Sequence, residues 1–329
     1  MIREPLPSDA GEIRDMYARI GWHYTLEEMR RNLAPCRTFV SIDSTEQQQE
    51  RAVAVQGSIC VCEQKSIWSI NGLVVDPLCQ GKGIGRVLMQ HVLNLAKEAQ
   101  VPVIVRLVST TEGMPLYRKL GFQHITTCTL LVRRLAGYAR PSLIPVDDGS
   151  RFDEAVWSKD APIIDELSVQ ATGGCKRSHI NRAHLFPGLG ISSKAVMIRR
   201  AGEAIGFGAV RRTSQFVILG PIVAPSATIA KAVLERLMAL AMSDDQFKRP
   251  KDSSDATAGG EEVNVRIDVT SDVDVNHELR DWLVNSCGFS VRQDCPLMDW
   301  RAGPADPTTA NGAQDVNLSQ WALLSQGLL

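Results

Sequence analysis

Leu73-Val74-Val75-Asp76-Pro77-Leu78-Cys79-Gln80-Gly81-Lys82-Gly83-Ile84-Gly85-Arg86 is the stretch whose chemistry narrows the fold most. An apolar strand runs through Asp-Pro into a loop with glycines at 81, 83 and 85. A helix opens there and carries Ile84, Leu88, Val92, Leu95 and Ala99 on its apolar face. Glycine lets the backbone approach a ligand closely and lets neighbouring amides point the same way. The helix N-terminus adds unpaired donors and partial positive charge. Lys82 and Arg86 add cationic reach, so the site suits a diphosphate. A P-loop would need Gly-x-x-x-x-Gly-Lys-Ser/Thr, but Arg86 and Val87 follow Gly85. A Rossmann fingerprint would need Gly-x-Gly-x-x-Gly after the first strand of its fold, and neither condition is met.

Working outward, Asp9 and Glu12 have capping-box spacing ahead of Ile13, Met16, Tyr17 and Ile20, which predicts an amphipathic helix. Thr25 and Glu28 repeat the signal for a second helix. Between them lies the ring-rich loop Gly21-Trp22-His23-Tyr24. Strand-like runs follow at 38–42, 51–62 and 67–75, with a polar hairpin loop over 43–50. Beyond the glycine loop and its helix to about Ala99 come a strand at 103–107, a short helix at 113–120 stopped by Gly121, and a final strand at 124–134. The order is α-α-β-β-β-α-β-α-β, a mixed sheet flanked by helices and therefore an α/β or α+β fold.

A similar order recurs about 145 residues later. The chain divides into a block at 1–136, a linker at 137–150, a second block at 151–302 and a tail at 303–329. The second block is expected to hold a helix over 152–170, strands at 195–200, 204–211 and 216–223, a helix at 229–242, a strand at 263–269 and a helix at 278–287. A polar insertion at 243–262 reads as a mobile loop. In the tail, Trp321, Leu323, Leu324 and Leu328 are apolar enough to dock back onto the body.

The 329 residues are 44% hydrophobic and 22% charged, which excludes a fully disordered chain or a collagen. Lys plus Arg is 36 and Asp plus Glu 37, a formal net charge of −1, so nothing global asks for nucleic acid or an anionic membrane. No apolar run approaches a membrane span, and Met1 to Pro7 lacks the apolar core of a signal peptide, so a cytoplasmic location is expected. Cys60 and Cys62 would share a strand face, a thiol pair or metal half-site against the commoner pair of buried cysteines. No Cys-x-x-Cys or His spacing suggests a metal, and none is expected.

Gln80-x-x-Gly83-x-Gly85 after the Leu-Val-Val-Asp-Pro strand resembles the acetyl-CoA signature of the GNAT superfamily of N-acetyltransferases. Pro115-Leu116-Tyr117-Arg118-Lys119-Leu120-Gly121-Phe122, about thirty residues on, resembles its Leu-Tyr-x-x-x-Gly-Phe element. The variant Glu112-Gly113-Met114 before it is similar to a subfamily with a catalytic GNAT domain followed by a degenerate one. The resemblance implies two tandem acyl-CoA N-acyltransferase folds. It also implies acetyl-CoA as co-substrate and transfer of the acetyl group to the primary amine of a small-molecule or peptide acceptor by direct attack on the thioester. Leu73, Val74 and Val75 would make backbone contacts with the pantetheine arm and thioester, and Gln80, Gly81, Lys82, Gly83, Ile84, Gly85 and Arg86 would hold the pyrophosphate. Tyr117 would protonate the departing thiolate, since a phenol stays protonated at neutral pH. The competing reading makes Tyr117 a packed helix tyrosine.

The residues before the loop, Trp68, Ser69, Ile70 and Asn71, include no carboxylate to act as base. Ser69 or Asn71 ordering a water, and His23, are the candidates. Thr110 stands where many relatives carry an Asn that touches CoA. In the second block, Ala224-Pro225-Ser226-Ala227-Thr228 replaces the glycine loop, and Pro225 lacks an amide donor. Val284 stands where Tyr117 stands. That copy is expected to be non-catalytic, and walling the substrate site, homodimerisation and stabilising the first copy remain its open roles. A non-catalytic acyl-CoA sensor and an adaptor recruiting partners through its second domain and tail are the alternative functions.

Overall fold

The computed structural model describes residues 1–43, 55–135, 146, 149–172, 177–185, 192–247, 263–270, 276–302 and 319–322. The chain forms two compact units. Unit 1 is built on Met1–Ile125 and the segment starting at Leu297, and unit 2 on Thr126–Pro296 and the segment holding Ser319–Ala322.

The first half of the chain runs β1 (Ile2–Arg3), α1 (Asp9–Arg19), α2 (Leu26–Leu33), β2 (Arg37–Ile42), β3 (Val55–Glu63), β4 (Ile67–Val75), α3 (Ile84–Glu98), β5 (Ile104–Val108), α4 (Met114–Lys119) and β6 (Gln123–Leu135). β1 to β4 pair antiparallel in sequence order, and β4 pairs β5 in parallel. Strand alternation sorts β4 between two cores. Val74 joins Ile13, Met16, Tyr17, Met29 and Val40 beneath α1 and α2, while Leu73 packs with the cluster of Leu88, Val92 and Leu93 from α3. Leu88 and Val92 are fully withdrawn from water, which contributes about 1.5–3 kcal/mol apiece.

α2 starts as its sequence predicts. The Thr25 hydroxyl accepts from the Glu28 amide, and the Glu28 carboxylate accepts from the Thr25 amide. α1 does not use the capping box its spacing suggests. Ser8 is its N-cap, with no side-chain cap, because Asp9 and Glu12 are engaged elsewhere. The Asp9 carboxylate takes Arg3 at 2.6 Å and the Leu6 amide at 2.7 Å, and Glu12 accepts from the Val55 amide. The hairpin loop expected at 43–50 lies outside the described residues from 44 on.

The second half runs β7 (Ser150–Glu154), α5 (Trp157–Ala171), α6 (Ser178–His184), β8 (Ser193–Arg200), β9 (Glu203–Arg212), β10 (Val217–Ala224), α7 (Ala227–Ser243), a 3-10 turn at Asp245–Phe247, β11 (Val263–Thr270), α8 (Asn276–Asn285), β12 (Ser290–Arg301) and β13 (Ser319–Ala322). β7 to β10 pair antiparallel in sequence order, and β10 pairs β11 in parallel. α7 covers this sheet with Ile229, Val233, Leu234, Leu237 and Met238 in its core.

Three sequence expectations are corrected in unit 2 and at its border. The helix expected from Phe152 starts only at Trp157. Phe152 pairs with Ile198 in the sheet, and the Asp160 carboxylate accepts from the Val156 amide at 2.8 Å to mark the helix start. The polar insertion expected from 243 begins as ordered backbone, because burial of Phe247 anchors the turn; residues 248–262 lie outside the described ones. The last strand of the first block, expected at 124–134, is β6. It pairs antiparallel with β11 over Cys128–Leu135, inside unit 2. Unit 1 is completed instead by Leu297–Arg301 of β12, antiparallel to β5. Arg106 on β5 grips Asp299 on β12 with two hydrogen bonds of 2.8 Å, and Trp300 packs over Gly121.

Candidate active site

In unit 1 the parallel strands β4 and β5 stay paired only at Ile67–Ser69 against Ile104–Arg106. Beyond that point β4 continues to Val75 without β5 beside it. Its other edge remains on β3, where Leu73, Val74 and Val75 face Ile59, Ser58 and Gly57. The outer edge of Leu73–Val75 is thus an extended backbone that no strand among the described residues pairs, leading straight into the glycine loop.

A bulge precedes it. Cys60 pairs with Gly72 but Val61 pairs with Ile70, so Asn71 is the additional residue on β4. Gly72 has no alternative at that place, since the Tyr17 hydroxyl occupies the space a Cβ would need. Tyr17 is buried, lies 3.8 Å from the Cys60 sulfur and packs edge-on against Trp22 with centroids 5.6 Å apart. Desolvation pushes its phenol well above the ordinary tyrosine range, so it is protonated.

Asp76 closes the strand. Its buried carboxylate accepts from the Leu78 amide at 2.9 Å and from Arg19 at 2.5 Å, and Gln80 donates back to the Val75 carbonyl at 3.3 Å. Gly81 and Gly83 both sit at φ +78°, the left-handed conformation that side chains disfavour, and no neighbouring atom crowds either. Gly83 is the N-cap of α3 and offers no side-chain acceptor. The first-turn amides of α3 therefore keep their hydrogen-bonding capacity for an external anion. Gln80, Gly81, Lys82, Gly83 and Arg86 are exposed, while Ile84 and Gly85 are half-buried. The structure brings these residues together at one end of β4, as their contiguity requires. Gly85 also lies close to Val75, Leu116 and Leu73, which places the start of α4 beside the loop.

Tyr117 stands on α4, buried, with its ring edge-on to Phe122 at 5.7 Å. A Cβ at Gly113 would come within 2.9 Å of that ring, which explains glycine there. Burial pushes the phenol up to about 12, so it carries its proton throughout the neutral range. Tyr117 packs as one sequence reading has it, and its hydroxyl keeps its proton. Thr110 has a local task, accepting from the Gly113 amide at 3.1 Å and from the Met114 amide through its carbonyl.

Of the base candidates, Ser69 is fully buried, and the Asn71 amide donates to the Asn32 carbonyl at 3.4 Å and to the Cys36 sulfur at 3.6 Å. His23 is exposed. Cys60 and Cys62 are both buried, and the contact of Cys36 with Cys62, together with burial, drives the Cys36 thiol upward against the opposing hydrogen bond from Asn71. Sequence reasoning missed Arg19 and Tyr17. Both lie on α1, far from the motif in sequence, and neither carries a local signal. Among the described residues no group of three or more His, Cys, Asp or Glu could hold a metal ion, and no helix is long and apolar enough to cross a membrane.

Unit 2 repeats the frame with different chemistry. α7 follows β10 after only two residues, and its start is capped from within, the Ser226 hydroxyl accepting from the Ile229 amide at 3.4 Å. Val284 packs against the unit 2 core where unit 1 has a phenol. Gly288 at φ +67° mirrors Gly121 at +91°.

The parallel pair β4 and β5 parts ahead of the glycine-bearing start of α3, inside a segment that a known family matches. Residues 38–124 match an acetyltransferase (GNAT) domain family, and residues 170–256 match a second family of the same description. The chain belongs to the GNAT superfamily as a tandem protein with two GNAT domains, a class that transfers acyl groups from acyl-CoA. It is 27% identical over 265 residues to the uncharacterised N-acetyltransferase YitH of Bacillus subtilis, covering 79% of this chain and 76% of that protein. In fold it is similar to a tandem GNAT protein from the clavulanic acid biosynthesis pathway (TM-score 0.63, 14% identity, 93% of this chain and 100% of that one). It is likewise similar to a GCN5-related N-acetyltransferase from Sphaerobacter thermophilus (TM-score 0.62, 16% identity, 93% and 96%).

Proposed function

We propose that this protein is an acetyl-CoA-dependent N-acetyltransferase that works from unit 1 on a primary amine of a small molecule or peptide. The observation that carries the reading is the open edge of Leu73–Val75 running into the left-handed Gly81 and Gly83 at the uncapped start of α3. An extended amide-bearing arm fits the strand edge, and a diphosphate fits the helix start, with Lys82 and Arg86 beside it. The backbone of Leu73–Val75 orients the thioester toward the acceptor. Tyr117, protonated because it is buried, holds the proton that the leaving thiolate takes up. No carboxylate stands on β4, so the amine loses its proton through water, near Ser69 and the bulge at Asn71. The exposed Trp22 and the half-buried Tyr24, both packed on Tyr17, favour an acceptor with an apolar body. Unit 2 has a proline-bearing turn, a self-capped helix and Val284, and it carries no turnover.

The test is an acceptor screen of amines and peptides, read by CoA release and by mass spectrometry of the product. Transfer to an amine nitrogen supports the reading. Tight acetyl-CoA binding without release on any amine would make the protein a sensor instead.

A further inference from the structure

We infer that the cleft of unit 2 equivalent to the acyl-CoA cleft is a peptide-binding groove, and that its ligand is the chain's own C-terminal segment Ser319–Ala322. β10 and β11 part as β4 and β5 do, staying paired only at Val217 with Val265 and Ile218 with Arg266. Past that point, β10 keeps its other edge on β9, where Ile222 and Val223 face Gly208 and Phe207. The edge that β11 vacates is taken by β13, antiparallel, with Ile222 opposite Ala322, Val223 opposite Gln320 and Ala224 opposite Ser319.

Ile222–Ala224 immediately precede the turn into α7, as Leu73–Val75 precede the loop into α3. In unit 1 no strand among the described residues takes that edge. An unpaired strand edge within a sheet is a template for any extended amide chain, whether peptide or pantetheine. Unit 2 fills it by strand addition and caps the adjoining helix with Ser226, so both halves of an acyl-CoA site are satisfied by protein groups. Only the comparison with the pantetheine arm rests on the function proposed for unit 1. The occupation of the groove stands apart from it.

The register gives the test. In the full-length chain carrying Val223→Cys and Gln320→Cys, mild oxidation should link the two positions within one chain, seen by mass spectrometry of a non-reducing digest. The control pair Val217→Cys and Gln320→Cys, about 20 Å further down β10, should give at least tenfold less. Equal yields for the two pairs, or a link found only between two copies, would overturn the inference. As a second measurement, hydrogen exchange across Ile222–Ala224 should accelerate at least tenfold in full-length Gln320→Pro, which puts a proline into the strand opposite Val223, with Val217–Ile218 unchanged. Exchange equal to the wild type would also overturn it. Calorimetry of the linked chain with acetyl-CoA separates the two proposals. A missing unit 1 site would remove the proposed function and leave the link intact, whereas a second equivalent bound to the linked chain would overturn the closed groove.

Discussion

Arg19, the last residue of α1, donates to the buried carboxylate of Asp76 at 2.5 Å and so ties the helix on the ring-rich side of unit 1 to the residue that opens the glycine loop. The other Asp76 oxygen holds the Leu78 amide, so the ion pair and the turn share one carboxylate. Arg19→Ala leaves that carboxylate buried with a single donor. Arg19 is itself 41% exposed, which screens the pair, so the expected loss is at the lower end of about 1–3 kcal/mol. Urea unfolding measures it. Acetyl-CoA affinity should fall as well, and unchanged affinity would mean the loop keeps its shape without the tie.

The pyrophosphate cradle is tested by Gly83→Glu with Gly85→Glu. The left-handed φ of Gly83 strains any side chain, and two carboxylates at the start of α3 compete with an anionic ligand for its amides. Wild type should bind one acetyl-CoA per chain by calorimetry and the variant should show no measurable binding. Two sites in the wild type would contradict the assignment of the cradle to unit 1 alone.

Tyr117→Phe should leave acetyl-CoA affinity nearly unchanged and slow single-turnover transfer by roughly 10²–10⁴-fold, the usual worth of a general acid. Because burial raises the phenol to about 12, it keeps its proton below that value and loses it above. Any alkaline fall in the chemical step that comes from Tyr117 should therefore centre near pH 12, not near 10. A wild-type rate in the variant would reduce Tyr117 to its packing on Phe122.

Asp9 is held below the usual carboxylate range, first by its hydrogen bond from Arg3. A lowered native pKa means its contribution is present above the unfolded value of 3.8 and disappears as the pH falls through the native one. Asp9→Asn should cost about 1–3 kcal/mol at pH 7, and the difference from wild type should shrink below pH 3.8. Urea unfolding at pH 7 and pH 3 gives the comparison, and a pH-independent difference would point to packing.

Local chemistry made much of this protein legible in its sequence. The glycine loop, the α3 stripe, the Thr25–Glu28 cap and the Tyr117 element all depend on residues within a few positions of one another, so spacing alone displays them, and the recurring element order is a second series of such local signals. Asp9 and Glu12 show where such reasoning ends. Their spacing is that of a capping box, but Arg3 and the Val55 amide compete for the same carboxylates and win, and only one of these partners is near in sequence.

Partnerships made across the chain belonged to the tertiary structure. Arg19 with Asp76, and Tyr17 beside Gly72, join residues more than fifty positions apart, and neither pair leaves a pattern in its own neighbourhood. Strand partners behave the same way. A strand with the right alternation satisfies any edge of matching length, so nothing in residues 124–134 or 290–301 says which sheet each completes. The eight-residue ladder of β6 on β11, the Arg106–Asp299 grip of β12 on β5, and the pairing of Ser319–Ala322 with β10 were decided by which unpaired edges the folded chain left within reach.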